Sequence, residues 1–189
     1  MAAPADKNNR NLSGTWVLNK TLSDSPEAGL ALQGIGFLLR KTIGLASITV
    51  TVNQYEAPPK PPSTASDIVT HIDSDQSAAG LSSTKELRCF DNFYREHSDW
   101  LFGDCKGRSQ WVSLDEIEDE WLRQDWLPEG DGQGKNIIFT YVENASKGWT
   151  ATQIWGFQMV NGERRHCRRI IVQKDKKREQ FRFVYDYVA

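Results

Sequence analysis

An excess of charge of one sign is the first thing this sequence lacks. Its 23 Lys and Arg and 25 Asp and Glu residues leave a formal net charge of −2 over 189 residues. So small a net charge gives no overall basic field that would concentrate nucleic acid or an anionic membrane on the protein. No nucleic-acid-binding motif accompanies the basic residues near the C-terminus. We therefore expect no nucleic-acid partner.

Cysteine and long apolar runs are also scarce. The three cysteines, Cys89, Cys105 and Cys167, form no CxxC and cannot all pair, which is typical of free thiols in a reducing compartment. Residues 1–11 lack the apolar core of a secretory signal, and no apolar run is long enough to span a bilayer. We expect a cytoplasmic protein, a monomer or weak dimer, without stable membrane insertion.

The familiar signatures of catalysis are missing as well. The sequence contains no G-x-S-x-G, no phosphate-binding loop and no dinucleotide fingerprint. No His, Cys and Asp residues cluster with the spacing of metal ligands. We predict that the protein uses no cofactor and no metal ion.

Short segments of alternating polarity, separated by turn residues, make up most of the chain. Asn161-Gly162 is a strong signal for a two-residue hairpin turn, and a further hairpin is predicted around Asp104-Cys105. The glycine-rich stretch at 128–134 predicts a flexible loop. Residues 1–10 predict a disordered tail ahead of a single domain at 11–189. Strands are predicted at 14–19, 48–54, 67–76, 84–91, 98–103, 106–114, 136–143, 149–160, 164–173 and 180–188.

Two short helices are predicted at 26–44, between the first and second strands. Ser25-Pro26-Glu27 combines a capping hydroxyl, a proline at the first helical position and an acid in the first turn. Gly34 and Gly36 separate the helices. Phe37, Leu38 and Ile43 are predicted to form an apolar face on the second helix, and the mouth of a barrel would cover that face.

The order of these elements carries a resemblance. A strand with a G-x-W signature (Gly14-Thr15-Trp16), two helices split by Gly-x-Gly, and the strand Ser47-Ile48-Thr49-Val50-Thr51-Val52 follow one another. From about Leu12 to Val52 the chain resembles the fatty-acid-binding proteins, the small intracellular members of the lipocalin-like (calycin) group. The resemblance implies an all-β, ten-stranded antiparallel barrel with a helical lid and one apolar ligand inside. It also implies that Trp16 closes the base of the barrel.

The last strand departs from that family. Phe181, Phe183, Tyr185 and Tyr187 share one face. The family carries Arg-x-Tyr there, and its two side chains hold a ligand carboxylate. The alignment retains Tyr185 but places Phe183 where the arginine should be, and Arg182 points to the opposite face. The altered clamp argues against a simple fatty acid and favours an aromatic or polycyclic ligand.

Aromatic side chains and a few polar ones are the candidate site residues. His166 and Arg168 share a strand face and would enter the lumen beside Tyr185 if that face points inward. A histidine there could move protons, and the phenol of Tyr185 could donate a hydrogen bond to a developing oxyanion. We predict Tyr185 and His166 as catalytic residues. The predicted ligand-binding residues are Phe37, Arg88, Trp111, Tyr141, Trp155, Phe157, Arg168 and Phe183.

Three classes of function stay open at this point. The first is a barrel that binds and carries one small hydrophobic molecule. The second is a cofactor-free isomerase or cyclase that uses the lumen as its active site. The third is a protein-interaction module, in which the aromatic residues fill a solid core or form a docking surface.

Overall fold

The computed structural model describes residues 1–78, 81–128 and 134–189. The described residues form three short α helices and ten β strands. The helices are α1 (Glu27–Leu32), α2 (Phe37–Leu45) and α3 (Glu120–Arg123). The strands are β1 (Gly14–Leu18), β2 (Ile48–Ala57), β3 (Val69–Ala78), β4 (Thr84–Cys89), β5 (Arg95–Asp99), β6 (Gly103–Val112), β7 (Ile137–Asn144), β8 (Trp149–Val160), β9 (Glu163–Lys174) and β10 (Lys177–Tyr187).

All ten strands belong to one antiparallel sheet. Their order is β4-β3-β2-β1-β10-β9-β8-β7-β6-β5, so the pairing of β1 with β10 joins the two ends of the chain. Among the described residues, no strand pairing joins β4 to β5, which leaves one gap in the barrel wall. The predicted ten-stranded antiparallel barrel, with its helix pair after the first strand, is confirmed.

The base of the barrel is filled with aromatic side chains. Trp16, Trp155 and Phe157 are each at most 1% exposed. The indole Nε1 of Trp16 donates to the carbonyl oxygen of Leu12 at 2.9 Å, which satisfies its one polar atom. Trp16 also lies 5.2 Å, centroid to centroid, from the ring of His166. This half of the lumen is a solid core.

A second core lies on the outside of the barrel. Residues 113–128, here called the outer clasp, pack Ile117, Leu122 and Trp126 against side chains on the outer faces of β8, β9 and β10. Arg169 of β9 donates to the carbonyl oxygen of Trp121 at 2.9 Å. A Cβ at Gly156 would lie 2.8 Å from the Trp126 ring, so this strand position needs glycine. The sequence predicts only one helical turn in this segment.

The lid uses a different face from the predicted one. Ile43 is buried and Leu39 packs against the same core, as residues four apart on a helix should. Phe37 and Leu38 are 58% and 80% exposed, because they lie on the other side of the helix. The prediction that both are buried against the barrel mouth is wrong. Among the described residues, no helix is long and apolar enough to cross a membrane.

The hairpin between β5 and β6 turns earlier than predicted. The turn lies at residues 100–102, and Asp104-Cys105 belongs to β6. Asp99 sets its position, because one carboxylate oxygen accepts the N–H groups of Leu101 at 2.8 Å and Phe102 at 2.6 Å.

Residues 1–10 lie against the base of the barrel, where the sequence predicts a disordered tail. The N–H of Ala3 donates to the carbonyl oxygen of Arg164 at 2.8 Å. The guanidinium of Arg10 lies 3.7 Å from the centroid of the Trp111 ring. These long-range contacts correct the predicted tail. Of the loop predicted at 128–134, residues 129–133 lie outside the described residues.

Candidate functional site

A cavity of about 900 Å³ occupies the lid half of the barrel and reaches the gap between β4 and β5. Trp149, Ala151 and Gln153 of β8 form one wall, and Gln33 lies at the lid. This volume is typical of sites that enclose a drug-sized molecule. Among the residues that the structure describes, no three His, Cys, Asp or Glu side chains are placed to hold a metal ion.

An ion pair on β4 faces the cavity. Glu86 and Arg88 alternate onto the inner face, opposite Ser74 and Ile72 of β3, and their charged groups lie 2.5 Å apart. The Arg88 side chain is 9% exposed, whereas Glu86 keeps 37% exposure because it faces open cavity space. Burial opposes ionisation of Glu86, but Arg88 and Arg168 outweigh it and lower its pKa. Glu86 is therefore a carboxylate at neutral pH.

Arg168 places a second guanidinium beside this pair. Its guanidinium carbon lies 3.7 Å from the centroid of the Trp155 ring, and that of Arg88 lies 5.0 Å from the same ring. Among the described residues, no carboxylate oxygen lies within 4.0 Å of the Arg168 guanidinium nitrogens. With Glu86 as the one carboxylate beside two guanidinium groups, the local charge is positive. Such a buried, unpaired cation favours an anionic or hydrogen-bond-accepting group on a ligand.

His166 holds Arg168 rather than facing open space. Its Nδ1 lies 3.1 Å from the carbonyl oxygen of Gly156, which can only accept, so Nδ1 carries the proton. Nε2 then accepts from Nε of Arg168 at 3.4 Å. Burial and the charge of Arg168 lower the pKa of His166 well below its ordinary value. The imidazole is neutral, and its lone pair is used within the protein.

In the fatty-acid-binding proteins an arginine is expected where this chain has Phe183. The pairing of β9 with β10 places a guanidinium from β9 beside that position. Arg168 stands directly opposite Phe183, and His166 stands opposite Tyr185. The guanidinium carbon of Arg168 lies 5.0 Å from the centroid of the Tyr185 ring. Burial raises the pKa of Tyr185, so its hydroxyl stays protonated. A motif search along β10 alone could not find this pair, because its members lie on two strands.

The structure brings most of the predicted residues into the lumen, at different depths. Arg88 is the one of them that lines the cavity, and Arg168 and Tyr185 lie buried behind that lining. Trp111 lies near the base, where its Nε1 donates to Thr70 Oγ1 at 3.2 Å. The others lie on the inward faces of β8, β9 and β10: Trp155, Phe157, His166, Arg168, Phe183 and Tyr185.

Two predicted ligand-binding residues lie elsewhere. Phe37 is exposed on the lid. Tyr141 lies on the outer face of β7, because Ile138, opposite Trp155, turns the even-numbered residues of this strand inward. Its ring lies 6.3 Å from that of Tyr94. The sequence places the aromatic row of β7 inside, although Phe139 packs instead against the core beneath the outer clasp.

A histidine–carboxylate pair on β5 is absent from the residues predicted from the sequence. His97 Nε2 lies 3.3 Å from an oxygen of Asp99, and both residues line the cavity. Burial raises the pKa of Asp99, but hydrogen bonds from His97 and from two backbone N–H groups outweigh it and leave this pKa lowered. The bond to Asp99 raises the pKa of His97. The H-x-D spacing of His97-Ser98-Asp99, on one face of a strand, is the signal that could have found the pair.

Two sequences align with the chain over its whole length. Probable pericyclase scpY of Mollisia scopiformis is 30% identical over 192 residues, which cover 100% of this chain and 95% of that protein. Pericyclase pydY of Acremonium sp is 26% identical over 190 residues, covering 100% and 98%. No model of a known protein family matches the chain.

Solved structures share the fold. The REP1-NXSQ fatty acid transporter superposes with a TM-score of 0.54 at 12% identity, covering 94% of this chain and 96% of that one. Wild-type fluorescent protein UnaG gives a TM-score of 0.53 at 8% identity, covering 94% and 97%. Identities this low show the barrel architecture alone.

Proposed function

This chain belongs to the family of the pericyclases scpY and pydY, and from that kinship we propose that it catalyses a pericyclic ring closure of one apolar molecule in its lumen. The cavity of about 900 Å³, which reaches from the lid to the gap in the wall, is the observation that carries the proposal, because it gives a drug-sized substrate a place inside the barrel to react. A pericyclic reaction rearranges bonds in one concerted step through a cyclic transition state. Substrate and product are isomers, so the reaction consumes no oxidant or reductant.

The walls of the cavity supply the first contribution to catalysis. A flexible conjugated chain must fold so that its two reacting ends meet, and much of the barrier to ring closure is the entropy of reaching that geometry. Trp149 and Phe102, 5.8 Å apart by ring centroids, offer flat surfaces against which such a chain can fold. We propose that these rings select an aromatic or polyunsaturated, carbonyl-bearing substrate.

The positive charge above Trp155 supplies the second contribution. A carbonyl conjugated with the reacting π system gains negative charge in the transition state, and fixed donors in a dry site stabilise that charge. Arg168 is the proposed donor: it lies beside Arg88, which lines the cavity, and among the described residues no carboxylate oxygen lies within 4.0 Å of its guanidinium nitrogens. Tyr185 is the proposed second donor, and the centroid of its ring lies 5.0 Å from the guanidinium carbon of Arg168. His166 acts as a positioning residue through its bond to Arg168 Nε.

We further propose that the protein works in the cytoplasm as a monomer or weak dimer and binds no nucleic acid. Its three cysteines are free and buried, as suits a reducing compartment. Its net charge of −2 offers no field for a polyanion.

A carrier is the second candidate, because a cavity under a lid suffices for binding and the barrel is shared with a fatty acid transporter. Deleting the gene in its source organism should cause one compound to accumulate, and the purified protein is then added to that compound. Mass spectrometry should show a new compound of identical mass. Binding without conversion would favour the carrier, and the absence of both would contradict both candidates.

A further inference from the structure

A second group of ionisable side chains lies at the gap in the barrel wall, on strands β4 and β5. His97 and Asp99 stand on β5, and Glu86 stands on β4 across the gap. All three line the cavity. The ring closure proposed above makes no use of this group.

The histidine is held in one orientation. Asp99 is fixed because one carboxylate oxygen accepts two backbone N–H groups, from Leu101 and Phe102. Its other oxygen accepts from His97 Nε2 at 3.3 Å, so this nitrogen carries a proton in both ionisation states of the ring. Nδ1 has no hydrogen-bond partner among the described residues. The His97 side chain is 37% exposed and faces the cavity, which leaves Nδ1 available to a bound molecule.

The groups around His97 set its charge. Asp99 on its own strand and Glu86 across the gap both favour the imidazolium, whereas Arg88 disfavours it. Cys105 of β6 stands directly opposite His97, and burial raises the pKa of that thiol, so it stays uncharged. The net effect is a raised pKa for His97. The imidazolium is favoured relative to an ordinary histidine, and the neutral ring that can accept a proton becomes more populated as the pH rises.

We infer that His97, oriented by Asp99, is a proton-transfer residue acting on apolar molecules in the cavity that carry an acidic C–H beside a carbonyl or in a heteroaromatic ring. For a ketone, neutral Nδ1 takes the proton, the C–H electron pair forms a C=C bond, and the carbonyl π pair moves to oxygen. The imidazolium then returns the proton to that oxygen, giving the enol, an isomer of the ketone. This activity goes beyond the ring closure and stands without it.

The probe for this inference is 5-nitrobenzisoxazole, a flat bicyclic molecule that opens when a base removes its one acidic ring proton. The C–H bond breaks and its electron pair completes the C≡N bond of a nitrile. The N–O bond of the ring breaks with its pair on oxygen, so the molecule opens to one coloured cyano-nitrophenolate. Neutral His97 is the base, and its proton then passes to water. The wild-type protein should open the probe faster than imidazole at equal concentration, with a rate that rises with pH as His97 loses its proton.

Four further measurements decide the outcome. The change His97→Asn should lower the rate by about 10²-fold or more, the usual contribution of a positioned base. Asp99→Asn should move the midpoint of the pH–rate profile to lower pH. Asp104→Asn, a charge-matched change on the neighbouring strand at a position outside the cavity lining, should alter neither quantity. A polarity-sensitive dye that fills the cavity should inhibit.

The inference is overturned if the wild-type protein is no faster than imidazole. It is also overturned if His97→Asn and His97→Gln, both folded by circular dichroism, keep the wild-type rate, or if the dye binds without inhibiting. Ring closure is not measured in this assay, so the two proposals can fail separately.

Discussion

A substitution at Arg168 should lower the activity of the protein without lowering its stability. The change Arg168→Met removes a guanidinium stacked at 3.7 Å on Trp155 and keeps an unbranched apolar side chain of similar reach. The loss of a desolvated cation–π contact costs about 2 kcal/mol. The ion is only 7% exposed and lacks a carboxylate partner among the described residues, so its removal also relieves a desolvation penalty of several kcal/mol. We expect the free energy of unfolding to stay level or rise by about 2 kcal/mol.

The same change should strongly impair ring closure. Removing one fixed donor to a developing negative charge typically lowers the rate by about 10²–10³-fold. Urea unfolding followed by tryptophan fluorescence gives the stability, and the rate of isomer formation gives the activity. If the Arg168→Met variant loses stability but keeps full activity, Arg168 is a structural residue and its proposed role in ring closure is wrong.

Arg169→Met is the matched control on the next position of β9. Arg169 points outward and donates to the Trp121 carbonyl at 2.9 Å and to Asp125 at 2.6 Å. The Asp125 side chain is 67% exposed, whereas Trp121 is only partly exposed, so the hydrogen bond to the Trp121 carbonyl should contribute most of the stability. We expect a loss of about 1.5–3 kcal/mol in stability, typical of a charged hydrogen bond, with an unchanged rate per folded molecule.

Three further predictions concern stability and thiol chemistry. Trp16→Ala should lower the free energy of unfolding by about 3–5 kcal/mol, measured by urea unfolding, and a stable variant that loses only ligand binding would contradict its structural role. The folded pKa of His97 is raised, so the stability that protonated His97 adds is fully present below its unfolded pKa of about 6.5 and is lost as pH rises through the folded pKa. The change His97→Asn should therefore make the free energy of unfolding depend less on pH in that window. An unchanged pH dependence would refute this prediction. Burial raises the pKa of Cys167 to about 12, so a maleimide should leave this thiol unmodified in the native protein, and labelling as fast as in urea would be the contrary result.

The fold could be predicted because its signals are local and ordered. The G-x-W strand, the helix start at Ser25-Pro26-Glu27 and the Asn161-Gly162 turn each appear where the sequence places them. Strand pairing then follows from chain order, apart from the closure of β1 on β10. Trp16 could be placed at the base for the same reason.

The site could be predicted only in part, because inward and outward faces depend on packing elsewhere. On β7 the aromatic row with Tyr141 faces outward, since the outer clasp covers part of that face and makes it partly apolar. Two apolar faces on one strand remove the alternation that a sequence pattern needs. The neighbourhood of Arg168 and Tyr185 on two consecutive strands could be predicted, but which face of them points inward could not. The approach of Glu86 to His97 joins β4 and β5 across the gap, and no spacing along the chain encodes it.

Ring closure in the lumen is tested most directly with the compound that accumulates when the gene is deleted. The purified protein is mixed with this compound, and the products are followed over time by chiral chromatography with mass detection. We predict saturable conversion to one stereoisomer of unchanged mass, slowed by a dye that competes for the cavity. Ala151→Trp, which places a large side chain in the cavity wall, should abolish conversion while the protein stays folded. A product mixture and a rate identical to those of the protein-free control would show that the barrel does not catalyse ring closure.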